Sequence, residues 1–233
     1  MHMTPTSDLN GNSSGKEILT QVSLGRRVAE AIRGDILFGR MSPGTRLSQQ
    51  QLCDRFGVSR MPVRDALRQL TSEGYLETDS GRHCLVATMG RQDILDTFAI
   101  EGMLHSLATS RVTTMASNSQ LQELEQRQHD MHAAEDDVHN YAAMNWQFHR
   151  RINQMSNSRK VIAALKVLAM AMPRDFVVEF PEWVPSSNAE HEEIVKAMLA
   201  RDGLRAGNLM REHISRSGIL IVDYLERKDV FLS

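Results

Sequence analysis

The chain has 233 residues, a hydrophobic fraction of 41% and a formal charge of −2, enough apolar material for one large or two ordinary packed domains and too much for a disordered polymer. Charge is divided unevenly: residues 21–90 carry ten Lys/Arg against seven Asp/Glu, an excess of +3, and residues 91–233 carry sixteen against twenty, an excess of −4. The two cysteines, Cys53 and Cys84, stand in no metal-type spacing, and neither a secretory signal nor a long apolar span appears, which predicts a cytoplasmic protein with no membrane partner.

Residues 1–20 are rich in Ser, Thr, Asn and Gly and show no apolar period, which predicts a flexible tail. A first helix is expected from about Ser23 to Phe38, with Leu24, Val28, Ala31, Ile32 and Ile36 on its inner side and Gly39 ending it. Ser42-Pro43-Gly44 is a turn signal, and a short amphipathic helix follows over Gln49–Phe56. Gly57 supplies the backbone freedom that a tight helix-to-helix turn needs, Ser59 is a candidate N-cap, and Pro62 falls in the first turn of the next helix, where a missing amide proton costs little. This second helix is expected over Arg60–Glu73, closed by Gly74.

On that helix Val63, Ala66, Leu67 and Leu70 recur at the spacing of a buried face, leaving Met61, Arg64, Asp65 and Arg68 outward and Arg60 at the edge. A set of outward arginines is either a solvated charged face or the reading surface of a helix-turn-helix, since an arginine fork grips phosphate or pairs with the acceptor edge of guanine. The glycine turn, cap and proline favour the second reading. Ser59, Arg60, Arg64, Arg68 and Gln50 are therefore the candidate DNA contacts. Residues 75–78 and 83–87 predict two short strands around Asp79-Ser80-Gly81-Arg82, a hairpin wing whose tip places Arg82 and His83 to touch phosphate or an adjacent minor groove, although an exposed basic turn is common without DNA.

From Arg91 onward strand-like alternation disappears, and helices are expected at about 91–113, 118–136, 138–155, 158–172, 188–200 and 202–227. The segment Pro173–Pro185 interrupts them, and its Phe176, Phe180 and Trp183 suit either the cap of a bundle or the cover of a pocket mouth. The predicted fold is mainly α: a winged helix-turn-helix over 21–88, then an antiparallel all-α bundle over 91–230.

Several polar residues lie on the apolar faces of these helices. Asn145 and His149, one turn apart, accompany Tyr141, Met144, Phe148 and Ile152. His191 shares a face with Ile194, Val195 and Met198, and His213 with Ala206, Leu209, Met210 and Leu220. Burying an unpaired imidazole or amide costs about 1–3 kcal/mol, so an inward set needs a shared partner, and a divalent cation supplies one. Each histidine alone reads better as a satisfied core or surface residue, and the case for an ion rests on the set. His129 and His132 are also one turn apart, but in a polar stretch with Gln126, Gln128 and Asp130, and read as surface. His191-Glu192-Glu193-Ile194-Val195 opens like a zinc-protease helix and lacks the second histidine.

The chain resembles the GntR family of bacterial transcriptional regulators, in the FadR subfamily with a C-terminal FCD domain. The likeness rests on Pro43-Gly44, Leu47, Gly57-Val58-Ser59-Arg60, Pro62-Val63-Arg64, Ala66-Leu67, Leu70, Glu73-Gly74 and Gly81, then on Phe148-His149, Glu190-His191 with Ile194 and Ala197, and Met210 with His213. It implies a homodimer on a palindromic double-stranded DNA operator and a small-molecule effector, often a carboxylic acid, bound in the helical domain. It also implies that Arg60 and Arg64 contact the operator and that His149, His191 and His213 hold a divalent ion. In metal-containing relatives an acidic residue stands where this chain has Asn145, whose amide oxygen coordinates without charge; zinc, nickel and manganese all suit such a set. Many relatives carry an arginine four residues before the glutamate matching Glu101, where this chain has Thr97, so Thr97 and Glu101 are the effector-side candidates. The runner-up function is a metal-dependent enzyme acting in the bundle, although no inward glutamate at a useful spacing offers a base. An architectural DNA binder without ligand leaves the inward polar set unexplained.

Overall fold

Apolar residues three and four apart on three successive helices build the N-terminal core. α1 (Ser14–Leu37) contributes Val28, Ala29, Ile32 and Ile36, α2 (Gln49–Phe56) Leu52 and Cys53, and α3 (Arg60–Ser72) Val63, Ala66, Leu67 and Leu70, all buried. The computed structural model describes residues 14–81, 83–88, 90–168 and 176–227, with side chains from residue 24 onward except 176 and 177. α1 starts at Ser14 rather than Ser23, so residues 14–20, expected as tail, belong to the helix; residues 1–13 lie outside the described residues. The expectation failed because Gly15, Lys16 and Thr20 interrupt any apolar period there, while the helix continues along its own hydrogen-bond ladder.

Gly57 ends α2 in the left-handed region at φ 62°, and Ser48 caps its start by accepting the Gln51 amide. The wing is a hairpin of β2 (Leu76–Thr78) and β3 (Cys84–Val86). A strand not expected from sequence, β1 (Arg46–Leu47), completes an antiparallel sheet in the order β1-β3-β2, pairing Arg46 with Leu85 and Leu47 with Cys84. Two residues are too few to show a period of two.

The remaining elements are α4 (Arg91–Met115), α5 (Asn118–Ala133), α6 (Val138–Met155), α7 (Arg159–Leu168), α8 (Phe176–Glu179), a 3₁₀ turn at Pro181–Trp183, α9 (Val184–Leu199) and α10 (Gly203–Arg227). α9 begins ahead of the expected Asn188 because Pro185 sits in its first turn, where proline is tolerated. α10 runs along α4 at close range. A Cβ on Gly218 would lie 2.7 Å from Phe98 Cβ, and one on Gly207 3.0 Å from Ser106 Oγ. α6 packs against α4 and α5, and α9 against α10 and α5, which encloses the faces carrying the histidines.

The two cores meet through α1. Phe38, just past its end, lies against Phe180 and Tyr224 with ring centroids 6.2 and 6.5 Å away. Arg40 bridges Asp35 at 3.0 Å and Glu179 at 2.6 Å. Among the described residues no helix is long and apolar enough to cross a membrane.

Candidate functional site: a DNA-reading helix and a buried histidine centre

α3 presents Arg60, Met61, Arg64, Asp65 and Arg68 to solvent while its opposite face is buried, as its spacing predicts. Arg60 Nη2 donates to Gln50 Oε1 at 3.3 Å, and Gln50 Nε2 donates to Asp54 Oδ1 at 2.9 Å, so α2 orients the first arginine of the reading helix. Arg64 and Arg68 form no ion pair among the described residues and keep their full donor sets for a ligand. Ser59 stands at the N-cap of α3 as expected, with extended backbone (φ −71°, ψ 170°), but its side chain makes no capping bond. His83 is tied into the wing turn: its amide and Nδ1 both donate to the Asp79 carboxylate, at 2.7 and 2.9 Å, leaving only Nε2 for an outside partner. Those bonds hold the half-buried Asp79 below the usual carboxylate range, the His83 backbone amide most of all. Arg82 lies outside the described residues.

The second site is assembled from three helices. His149 comes from α6, His191 from α9 and His213 from α10. Their Nε2 atoms form a triangle with edges of 3.1, 3.1 and 3.3 Å. Nitrogens held about 2.0–2.1 Å from one ion lie about 3.3 Å apart at tetrahedral angles and about 3 Å apart at right angles. The triangle therefore has the dimensions of a coordination face. Burial drives His213 down to about 4 and holds His149 and His191 well below the ordinary imidazole range, with neighbouring histidine charge adding to the shift of both. All three are neutral near pH 7, the form that ligates a metal.

Orphaned polar atoms test whether an ion fits. His149 Nδ1, His191 Nδ1 and Asn145 Oδ1 are buried without a hydrogen-bond partner. Asn145 stands one turn before His149 on α6, so its oxygen is the remaining donor on that face. Three converging Nε2 lone pairs and an unpaired amide oxygen fit a divalent cation, which would give the Asn145 oxygen a partner; the Nδ1 atoms of His149 and His191 lie on the far side of their rings and are not served by it.

Sequence reasoning assigned no part in the centre to Glu190 or His105, and left Trp183 as a bundle cap or pocket cover. Glu190, one residue before His191, accepts the Nδ1 proton of His213 at 2.6 Å and is itself clamped by Arg216. This fixes the His213 tautomer, turns its Nε2 lone pair toward the triangle and brings a negative charge up behind the imidazole. Trp183 stacks on His213 with centroids 5.5 Å apart and planes 16° from parallel, which places one of the three aromatics of the interrupting segment over the centre. His105 of α4 meets His149 edge to face at 5.5 Å. The sequence did carry a signal for His105: Ile94, Phe98, Glu101, His105, Ala108 and Val112 lie three and four apart on one buried face. His129 and His132 are exposed, as expected, although Gln128 between them is buried.

Of the two effector-side candidates, Thr97 is half-buried and its hydroxyl donates to Asp93 O at 2.7 Å. Glu101 is buried one turn before His105, and burial pushes its carboxyl up to about 8 against the opposing pull of the Arg33 guanidinium in the N-terminal module. His105 is the α4 residue whose ring meets the histidine centre.

A winged helix-turn-helix coupled to an all-α ligand-binding domain defines a transcriptional regulator. Residues 24–86 match the family described as bacterial regulatory proteins, gntR family, and residues 96–216 match the FCD domain. The chain belongs to the GntR family, in the branch that carries an FCD domain. It is 24% identical over 193 residues to the HTH-type transcriptional repressor RspR of Escherichia coli (strain K12), covering 81% of this chain and 85% of that one. It is 27% identical over 199 residues to the HTH-type transcriptional repressor GlaR of the same strain, covering 78% of this chain and 89% of that one. Its fold is shared with the solved structure of E. coli McbR/YncC at a TM-score of 0.65 and 21% identity, covering 86% of this chain and 97% of that chain. The family and these relatives are regulators, not enzymes, which removes the metalloenzyme alternative.

Proposed function

We propose that this chain is a cytoplasmic homodimer that binds a palindromic operator and changes its DNA affinity when a small carboxylic acid binds at a divalent-metal centre in the helical domain. The observation that carries the reading is the Nε2 triangle of His149, His191 and His213, buried beside the unpaired Asn145 oxygen. These four residues hold the ion, and a bound divalent ion supplies a Lewis-acidic anchor for an oxygen-bearing effector. Glu190 keeps His213 in its ligating tautomer, and Trp183 shields that ring from water.

Operator recognition falls to Arg60 and Arg64, with Arg68 and Gln50 beside them and the wing alongside. Support for a homodimer comes from α4, whose Ile100, Met103 and Leu107 are 46%, 60% and 48% exposed and share one face at i, i+3 and i+7. One module with a charge excess of only +3 needs a second on the same DNA to bind tightly.

The test is elemental analysis of untagged protein after incubation with zinc, nickel or manganese, combined with fluorescence anisotropy on a selected operator. His191→Ala should lose the metal and the response of operator binding to added metal. A wild type that takes up none of the three ions, with His191→Ala matching it in operator affinity, overturns the reading.

A further inference from the structure

The solvent face of α3 carries two rows of side chains. Arg60, Arg64 and Arg68 stand four apart and form one; Met61 and Asp65, also four apart, form the other beside it. The arginine row supplies phosphate and guanine contacts and leaves Met61 and Asp65 without a part. Met61 is 52% exposed, and among the described residues of the N-terminal module no other large hydrophobic side chain is exposed.

The turn that carries Met61 is braced on two sides. Pro62, the next residue, is buried, and α1 packs on this turn: a Cβ on Gly25 would lie 3.4 Å from Pro62 O and 3.6 Å from Asp65 Cβ. On the other side the Arg60 guanidinium donates to Gln50 of α2 at 3.3 Å. Met61 therefore projects a flexible side chain from a fixed backbone position at the N-terminal end of the reading helix.

The chemistry of the row limits what it can meet. A phosphate is repelled by the Asp65 carboxylate, which forms no ion pair among the described residues, and it gains nothing from a thioether. Base edges in the major groove offer one apolar group, the C5 methyl of thymine. The first residues of a recognition helix are those that approach base edges, and methionine is long, unbranched and polarizable, which suits it to cover a methyl. We propose that Met61 reads a thymine through its C5 methyl and is a specificity-determining residue of the operator interface. The proposal rests on the reading of α3 as the helix in the groove and adds one base identity to it.

The test uses full-length protein and an operator selected from random-sequence DNA. Each thymine is replaced in turn by deoxyuridine in both half-sites, which removes the methyl and keeps every hydrogen-bonding group of the base edge. Affinity is read by fluorescence anisotropy at one fixed salt concentration. At one position wild type should lose at least about tenfold, since each buried methyl is worth about fourfold in affinity and two half-sites are altered. Met61→Ala should bind the thymine and deoxyuridine DNAs within about twofold of each other at that position, while Met61→Leu, still apolar, keeps a preference for thymine. Both variants should melt with wild type, because the side chain is exposed. A wild type indifferent to every methyl, or a thymine preference that Met61→Ala leaves intact, overturns the proposal. Arg60→Ala and Arg64→Ala tell two failures apart: if they weaken binding to the selected operator, only the Met61 assignment falls, and if they do not, α3 is not in the groove and the reading beneath it falls as well.

Discussion

At the scale of single residues the reading helix separates stability from function, because α3 buries one face and gives the other to solvent. Arg60→Ala and Arg64→Ala should each weaken operator binding by about 1–3 kcal/mol, the worth of a bidentate or phosphate contact, with the melting temperature unchanged. Fluorescence anisotropy checks this, and unaltered affinity in both variants removes α3 from the groove. At the histidine centre the distinguishing residue is Asn145, whose unpaired oxygen brings no charge to the ligand set. Asn145→Asp should tighten metal binding by at least about tenfold, since the carboxylate adds Coulomb attraction at ligand distance, where solvent screening is weak. Competition with a chelator measures it. A looser site would mean that the Glu190 carboxylate, already bonded to His213, supplies as much negative charge as the centre accepts.

At the scale of elements, two glycines show how different physical demands fix the same residue type. Gly57 adopts φ 62°, and a Cβ there would meet nothing within 4 Å, so Gly57→Ala suffers backbone strain alone, about 1 kcal/mol. Gly218 lies in an ordinary helix, but a Cβ there meets Phe98 Cβ at 2.7 Å and Cγ at 2.8 Å, so Gly218→Ala forces α10 away from α4. Its cost should reach about 2–3 kcal/mol, the range of overpacked cores. Urea denaturation of both variants checks the order, and a Gly57 variant more damaged than the Gly218 variant would contradict it. Gly57 was legible in the sequence because a turn between two amphipathic helices demands it. Gly218 was not, since only the docked position of α4 reveals the contact. The same division runs through the site. His149, His191 and His213 were legible because each stands among regularly spaced apolar residues, whereas the bond from His213 to Glu190 and the ring contact of His105 depend on which helices become neighbours. β1 escaped for want of length, and the early start of α1 because polar residues carry the helix beyond its buried stretch.

At the scale of the whole molecule, the junction between the two cores holds a buried carboxyl. Glu101 on α4 is pushed up to about 8 by burial, opposed by Arg33, whose guanidinium pairs with Glu73 at 2.6 Å on the reading module. A folded-state value above the unfolded one means that the native state holds the proton more tightly. Glu101 therefore contributes stability that is complete below about pH 4.5 and is lost as pH rises through about 8. Glu101→Gln removes the titration, so it should flatten the fall in stability between about pH 5 and about pH 8 and leave the variant more stable than wild type at the alkaline end, by on the order of 2 kcal/mol. Chemical denaturation across that range checks the sign, and parallel profiles for the two proteins would show that Glu101 does not titrate with folding.

The same helix that holds Glu101 and His105 inward turns Ile100, Met103 and Leu107 outward. α4 thus touches the reading module, the histidine centre and solvent on three of its faces, and a second copy docked on the outer face would bring two reading modules under one framework. In the proposed dimer a two-fold axis would set this apolar stripe against its own copy. Met103→Glu with Leu107→Glu places two like charges on each side of that axis while leaving the buried face of α4 untouched. The double variant should sediment as a monomer at micromolar concentration, keep its helical content and lose at least about a hundredfold in operator affinity, because a lone module forfeits the second half-site. Analytical ultracentrifugation and anisotropy on one preparation measure both effects. A variant that remains dimeric would move the interface off α4, and a monomer with intact operator affinity would show that one basic module suffices.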